Sequence, residues 1–199
     1  MNHPAAHDMP TPHFSRQVSV DVWRCTGRTG LAAWAKAWPL DPAFRPVFTM
    51  RLCQRVARLP AWLRVVLLPL CRWLHLRARL RAALDIPWGL HAGPGFKLLH
   101  GQGTVINDRT RIGTNVTIMQ GVTIGGTQRG VPDISDDVIV CANATVLGGV
   151  HLGKGCVVGA GAVVLCDVPP GCAAVGNPAR VLPVPYKAHG YHPLPESLR

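Results

Sequence analysis

The sequence predicts a mainly β chain: a parallel solenoid of six-residue repeats preceded by a small α-helical segment. Three observations predict it. Aliphatic residues recur at every sixth position after residue 86, the glycines crowd into the same stretch, and the positive charge is gathered ahead of it. Of the 199 residues, 48% are apolar and only 16% charged, which excludes a disordered chain. A chain with 21 glycines and 18 prolines is not a plain helical bundle, because both residues weaken helix interiors. Glycine does not recur at every third position, so collagen is excluded too. The formal charge is +11, but residues 1–84 hold 13 Lys/Arg against 3 Asp/Glu, and residues 85–199 hold 8 against 7. Two physically different halves are expected.

Taken in order, residues 1–15 read as a mobile tail. His3, His7 and His13 stand there among prolines without metal-site spacing or the apolar core of a signal peptide, and no metal is expected. Residues 16–84 read as a basic α-helical region: Leu31–Trp38, broken by Pro39, then Phe44–Leu59 and Ala61–Leu84. Arg51, Arg55 and Arg58, at i, i+4 and i+7, share a helix face that is expected to be solvated. A sharper reading makes residues 51–81 a basic amphipathic surface in peripheral contact with a membrane, tryptophans at the interface. Nucleic acid is not expected as a partner, because no recognition motif accompanies the charge. The longest apolar run, Val65-Val-Leu-Leu-Pro-Leu-Cys71, falls far short of the roughly 20 residues that cross a bilayer. The cysteines are seven, an odd number without a CxxC pair, and several sit in apolar runs. That usage points to a reducing cytoplasm, with the inner face of the membrane as a further expectation.

From residue 86 the period is six. Ile86, Ala92 and Leu98 are followed, after a two-residue slip, by Ile106, Ile112, Ile118 and Ile124. After an irregular stretch come Ile134, Val140, Val146, Leu152, Val158 and Val164. The fifth residue of most units is also small or apolar, as in Val116, Val122, Val138, Ala144, Cys156 and Ala162. Neither 3.6 nor 2 explains such a period. A hexapeptide solenoid does: each unit is one short face and a turn, and three units close a triangular coil. Thirteen units make about four coils over residues 85–182, leaving 183–199 as a C-terminal tail.

These repeats, with Val175-Gly-Asn-Pro-Ala-Arg180, resemble the left-handed β-helix acyltransferases. Left-handedness is implied by the resemblance, since spacing does not show it. The expected fold is thus a left-handed parallel β-helix of hexapeptide repeats after a small α-helical segment. Within that superfamily the stretch from Asp85 to Arg180 resembles the serine acetyltransferases. The matching residues are Asp85-Ile, the His100-Gly-Gln-Gly block, Val122-Thr-Ile-Gly-Gly-Thr127, Val158-Gly-Ala-Gly-Ala-Val163 and the Gly-Asn-Pro-Ala-Arg ending. Asp21-Val-Trp-Arg-Cys-Thr-Gly27 also resembles the short relatives of that family, which are tied to polysaccharide loci.

The resemblance implies direct acetyl transfer from acetyl-CoA to an acceptor hydroxyl. A hydroxyl needs a general base as it attacks the thioester, and imidazole titrates near working pH. His100 occupies the position of the family's base. Asp85, fifteen residues earlier, matches the partner that orients it. Gly125, Gly126 and Thr127 are expected at the cofactor from a loop, Ala142 and Ala160 from coil corners, and Lys154 and Arg180 at its phosphates. His91 and His151 are expected to stay outside the reaction. The irregular stretch Gly125–Asp133 is expected to extrude a loop toward a neighbouring subunit, in a homotrimer with sites between subunits.

Two departures bear on the acceptor. Leu99 stands where the family has an aspartate, and Gly130-Val131-Pro132 where it has Arg-His-Pro. The C-terminal Glu196-Ser-Leu-Arg199 also lacks the family's terminal isoleucine. The activity implied is O-acetylation of L-serine, in cysteine biosynthesis. The alternatives are a sugar hydroxyl in surface or exopolysaccharide synthesis, which an uncharged pocket would suit, and a non-catalytic β-helix scaffold.

Overall fold

A computed structural model describes residues 13–183 of the chain. The histidines His3 and His7 and the C-terminal residues 184–199 lie outside the described residues. Four helices come first: α1 (Phe14–Thr26), α2 (Leu31–Leu40), α3 (Phe44–Ala57) and α4 (Ala61–Arg81). Helix α1 begins two residues inside the stretch read as a tail. Pro39 does not end α2 at Trp38; the helix runs to Leu40, where the Asp41 N–H still reaches the Ala37 carbonyl at 3.0 Å. A proline this close to a C-terminus forfeits one bond to the preceding turn, so the helix stops soon after rather than before it.

Fourteen short strands follow. Strands β2 (Lys97–Leu99), β5 (Thr117–Met119), β8 (Ile139–Val140), β11 (Val157–Val158), β13 (Ala173–Val175) and β14 (Arg180–Leu182) form one sheet. A second holds β3 (Val105–Ile106), β6 (Thr123–Gly125), β9 (Thr145–Leu147) and β12 (Val163–Val164). The third holds β1 (His91–Ala92), β4 (Arg111–Ile112), β7 (Asp133–Ile134) and β10 (His151–Leu152). From β1·β4 to β9·β12 every pairing is parallel and joins strands three apart, and β11 then pairs in parallel with β13, so the chain climbs a three-sided prism. Among the strands of the described residues only β13 and β14 pair antiparallel, closing one edge of the stack with a hairpin.

The six-residue period is the inward ladder of this prism. Leu98 lies against Ile118, Ile118 against Val140 and Val140 against Val158. Every aliphatic of the series from Ile86 to Val164 is buried. Burying such a side chain stabilises by about 1.5–3 kcal/mol relative to exposure. The second inward position is more varied than an aliphatic rule requires. Leu90 and Phe96 fill it in the first coil, and Thr104 and Thr110 fill it in the next; the Thr104 hydroxyl donates to the Met119 carbonyl at 3.0 Å.

The helices are clamped onto the first coil by a buried ion pair. Arg51 of α3 is 1% exposed, and its Nε donates to Asp21 Oδ2 of α1 at 3.1 Å. The rest of its guanidinium donates to the carbonyls of Ala92 and Gly93, while Asp21 Oδ1 accepts the Gly95 N–H at 2.8 Å. The expectation that Arg51 belongs to a solvated face is therefore overturned. Tertiary docking against the carbonyls of a coil corner gives that guanidinium better partners than water.

Candidate active site

His100 follows β2 and opens the corner where the chain passes from the first sheet to the second. Its φ of 62° is left-handed, where a residue with a Cβ is rarely found. Gly101 (φ 49°) and Gly103 (φ 72°) continue the turn, and a Cβ at Gly101 would press at 3.2 Å against Ala43 and Leu84. Glycine there lets α3 approach the corner, and the imidazole is left exposed at the rim.

The space beside that rim is a cavity of about 780 Å³ between the solenoid corner and the helices. Leu99, His100, Gln102 and Gln120 line it from the solenoid; Cys25, Lys36, Asp41 and Arg81 line it from the helices. The pocket is thus not uncharged: one acid and two bases reach it from the helical region, whose contribution the solenoid motifs do not reveal. Asp41 is fixed by its own helix, since Oδ1 accepts the N–H groups of Ala43 (3.0 Å) and Phe44 (3.2 Å) at the start of α3. The Cys25 thiol is pushed far up by burial, with the Asp41 carboxylate adding to the effect. It stays protonated and does not compete as a nucleophile.

The same corner continues up the stack. The Gly121 N–H bonds to the Gln102 carbonyl, the Asn143 N–H to Gln120 and the Gly161 N–H to Ala142, at 2.8–2.9 Å. Ala142 and Ala160 therefore stand on one column with His100. With coils roughly 4.8 Å apart, Ala160 lies three coils above Gln102, about 14 Å away. Two small side chains leave the corner backbone open over its upper two coils, above Gln102 and Gln120.

Other sequence-predicted residues fall elsewhere. Asp85 pairs with Val105 at the base of the second sheet, and its exposed carboxylate is bound by Arg79. The structure does not hydrogen-bond it to His100. Gly125, Gly126 and Thr127 sit on the next corner, where the irregular stretch folds into a tight turn: Thr127 and Gly130 exchange hydrogen bonds at 2.8 and 3.1 Å. The turn packs on Gly149, where a Cβ would collide with the Arg129 carbonyl. Lys154 lies on the third corner, between β10 and β11, and Arg180 opens β14. His91 is exposed; His151 faces Asp133 (3.4 Å) and Ser135 (3.2 Å) on the third sheet, away from the cavity.

Comparison with known proteins bears on this arrangement. The family described as bacterial transferase hexapeptide (six repeats) matches residues 132–166. A serine acetyltransferase of Synechococcus elongatus is 41% identical over 156 residues, 71% of this chain and 63% of that protein. One of Helicobacter pylori is 40% identical over 117 residues, 57% of this chain and 68% of its own length.

The chain belongs to the serine acetyltransferase family.

Among solved members, the soybean enzyme complexed with serine superposes with a TM-score of 0.67 at 33% identity, over 84% of this chain and 68% of that one. A serine acetyltransferase in complex with CoA gives 0.69 at 28% identity, over 83% and 68%. The solenoid is accordingly a left-handed β-helix of hexapeptide repeats. The chain spans between half and two thirds of the length of the first three curated relatives it matches.

Proposed function

We propose that the chain is an acetyl-CoA-dependent O-acetyltransferase whose acceptor is L-serine, serving cysteine biosynthesis. The observation that carries the reading is the exposed His100 imidazole at the rim of a cavity that also receives Asp41, Lys36 and Arg81. A zwitterionic amino acid needs an acid for its ammonium and a base for its carboxylate, and this cavity offers both. In the proposed reaction His100 takes the serine hydroxyl proton as the oxygen bonds to the thioester carbonyl carbon. The tetrahedral adduct then collapses, the C–S bond breaks, and the departing thiolate recovers the proton from the imidazolium. Asp85 is assigned to orient and stabilise that imidazolium, which requires its carboxylate to leave Arg79.

The open column of Ala142 and Ala160 supports a pantetheine arm running up the corner toward His100. Gly125, Gly126, Thr127, Lys154 and Arg180 remain proposed cofactor contacts. Those on other corners of the prism meet His100 through a second copy, hence a homotrimer with sites between subunits. All seven cysteines are free thiols, which supports a reducing, cytoplasmic setting.

Thioester cleavage by purified protein offered L-serine, and then sugars, tests the acceptor. Turnover with serine is expected; turnover with sugars alone would replace serine by a carbohydrate. The paired variant is His100→Asn, because Asn tolerates the left-handed backbone better than His. Loss of about a hundredfold or more in kcat, with the fold intact, is expected of a lost general base. Undiminished turnover would remove His100 from the chemistry, and absence of any turnover in the unaltered protein would favour a scaffold.

A further inference from the structure

Helix α4 turns an apolar stripe outward. Trp62, Val66, Trp73 and Leu80 lie at i, i+4, i+11 and i+18, one line along the helix, with Val65 and Leu76 beside them. Trp62 is 72% exposed, Trp73 49% and Leu80 68%. The opposite face is the one that packs: Cys71 is buried among Cys53, Val56 and Leu67, and His75 bonds to Thr49 and Ile86. An apolar stripe of this length on a helix already packed through its other side needs an occupant.

The charge around the stripe selects one. Arg64, Arg72, Arg77 and Arg81 are exposed on α4, and no Asp or Glu occurs between Asp41 and Asp85. The Arg77 guanidinium lies 4.9 Å from the centre of the Trp73 ring, so that charge and ring share one site on the stripe's flank. A second copy meeting this face two-fold would set arginines against arginines without an acid to separate them. An anionic lipid surface neutralises them while its acyl boundary takes the tryptophans. No described helix is long and apolar enough to cross a membrane. At 21 residues, with Pro69 inside it, α4 is about 30 Å long.

We propose that α4 is an in-plane anchor that seats the protein on anionic phospholipid through Trp62, Val66, Trp73 and Leu80, with Arg72 and Arg77 at the headgroups. The proposal is independent of acetyl transfer. It places the acetyltransferase chemistry beside a membrane without requiring that the acceptor be a lipid.

Flotation of the full chain with vesicles is the test. The vesicles are phosphatidylcholine alone or with about a third phosphatidylglycerol. Retention on the anionic vesicles at low salt, its weakening at high salt, and poor retention on phosphatidylcholine are expected. Replacing Trp62 and Trp73 together by Ser, or Arg72 and Arg77 together by Gln, is expected to lower retention about tenfold or more. Thermal unfolding of each double variant shows whether its fold is kept, and the arginine pair, exposed with Arg72 against Trp88 and Arg77 against Trp73, serves if the tryptophan pair unfolds. No retention at low salt, equal retention on neutral vesicles, or retention indifferent to both folded variants would overturn the proposal. So would a halved molecular mass of the tryptophan variant without any vesicle binding, which would make the face an interface between copies. Serine turnover is measured separately, so failure of the anchor and failure of the catalytic reading are told apart.

Discussion

Asp41 sits in an Asp-Pro-Ala turn ahead of α3, outside every motif singled out in the sequence. In the structure one carboxylate oxygen caps that helix, bonding the N–H groups of Ala43 and Phe44, while the group as a whole lines the cavity with His100. The two roles separate by substitution. Asp41→Asn keeps the capping oxygen and removes the charge, so KM for serine is expected to rise about tenfold or more, with thermal stability nearly unchanged. Asp41→Ala should add a loss of about 1 kcal/mol from the cap. Arg51 is the converse case, a charge whose face looked solvated and which is instead buried. Arg51→Met would leave Asp21 Oδ2 and two coil carbonyls without the guanidinium and the buried carboxylate without its counter-charge, and a loss of about 3–5 kcal/mol in denaturant unfolding is expected. Nothing local distinguishes Arg51 from Arg55; the difference is which coil corner lies opposite, and that is long-range information. His100 was singled out because its His-Gly-Gln-Gly block resembles the family's, whereas Asp41, Lys36 and Arg81 belong to no motif.

At the scale of elements, the solenoid was legible because its core has one dimension. A six-residue ladder repeats the same inward position, and each aliphatic from Ile86 to Val164 falls on it. The helices lack such a rule: which face of α3 docks is settled by contacts distant in sequence. One such contact makes the junction sensitive to pH. His75 of α4 lies buried, with Nε2 at 2.9 Å from the Ile86 carbonyl and Nδ1 at 3.0 Å from the Thr49 hydroxyl. Nε2 donates to that carbonyl in either protonation state, and burial favours the neutral ring. Burial lowers its pKa below the ordinary 6.5, so the unfolded chain binds the proton more readily than the folded one. Its contribution to stability is therefore complete above about 6.5 and is lost as pH falls from there toward the lowered native value. Denaturant midpoints should fall between neutral and mildly acid pH. In His75→Gln, which cannot take up the proton, that part of the slope should vanish.

At the scale of the whole molecule, the three corners of the prism impose a stoichiometric argument. His100, Ala142 and Ala160 share one corner, the Gly125–Thr127 turn occupies the next, and Lys154 stands on the third. Side chains on different corners of one triangular prism face away from one another. Lys154 can reach a cofactor at the His100 corner only from another copy of the chain. If each site joins the His100 corner of one subunit to the Lys154 corner of its neighbour, two defective variants can repair each other. Consider His100→Asn, without the proposed base, co-expressed in equal amount with Lys154→Glu, which would repel the cofactor phosphates at the proposed contact. In randomly assorted closed trimers, a site is intact when its first chain carries the normal histidine and its second the normal lysine, which happens about a quarter of the time. Activity at limiting acetyl-CoA should therefore recover to about a quarter of that of the unaltered protein, while each variant alone stays near background. Recovery no greater than the average of the two variants alone would confine each site to a single chain and withdraw Lys154 from it.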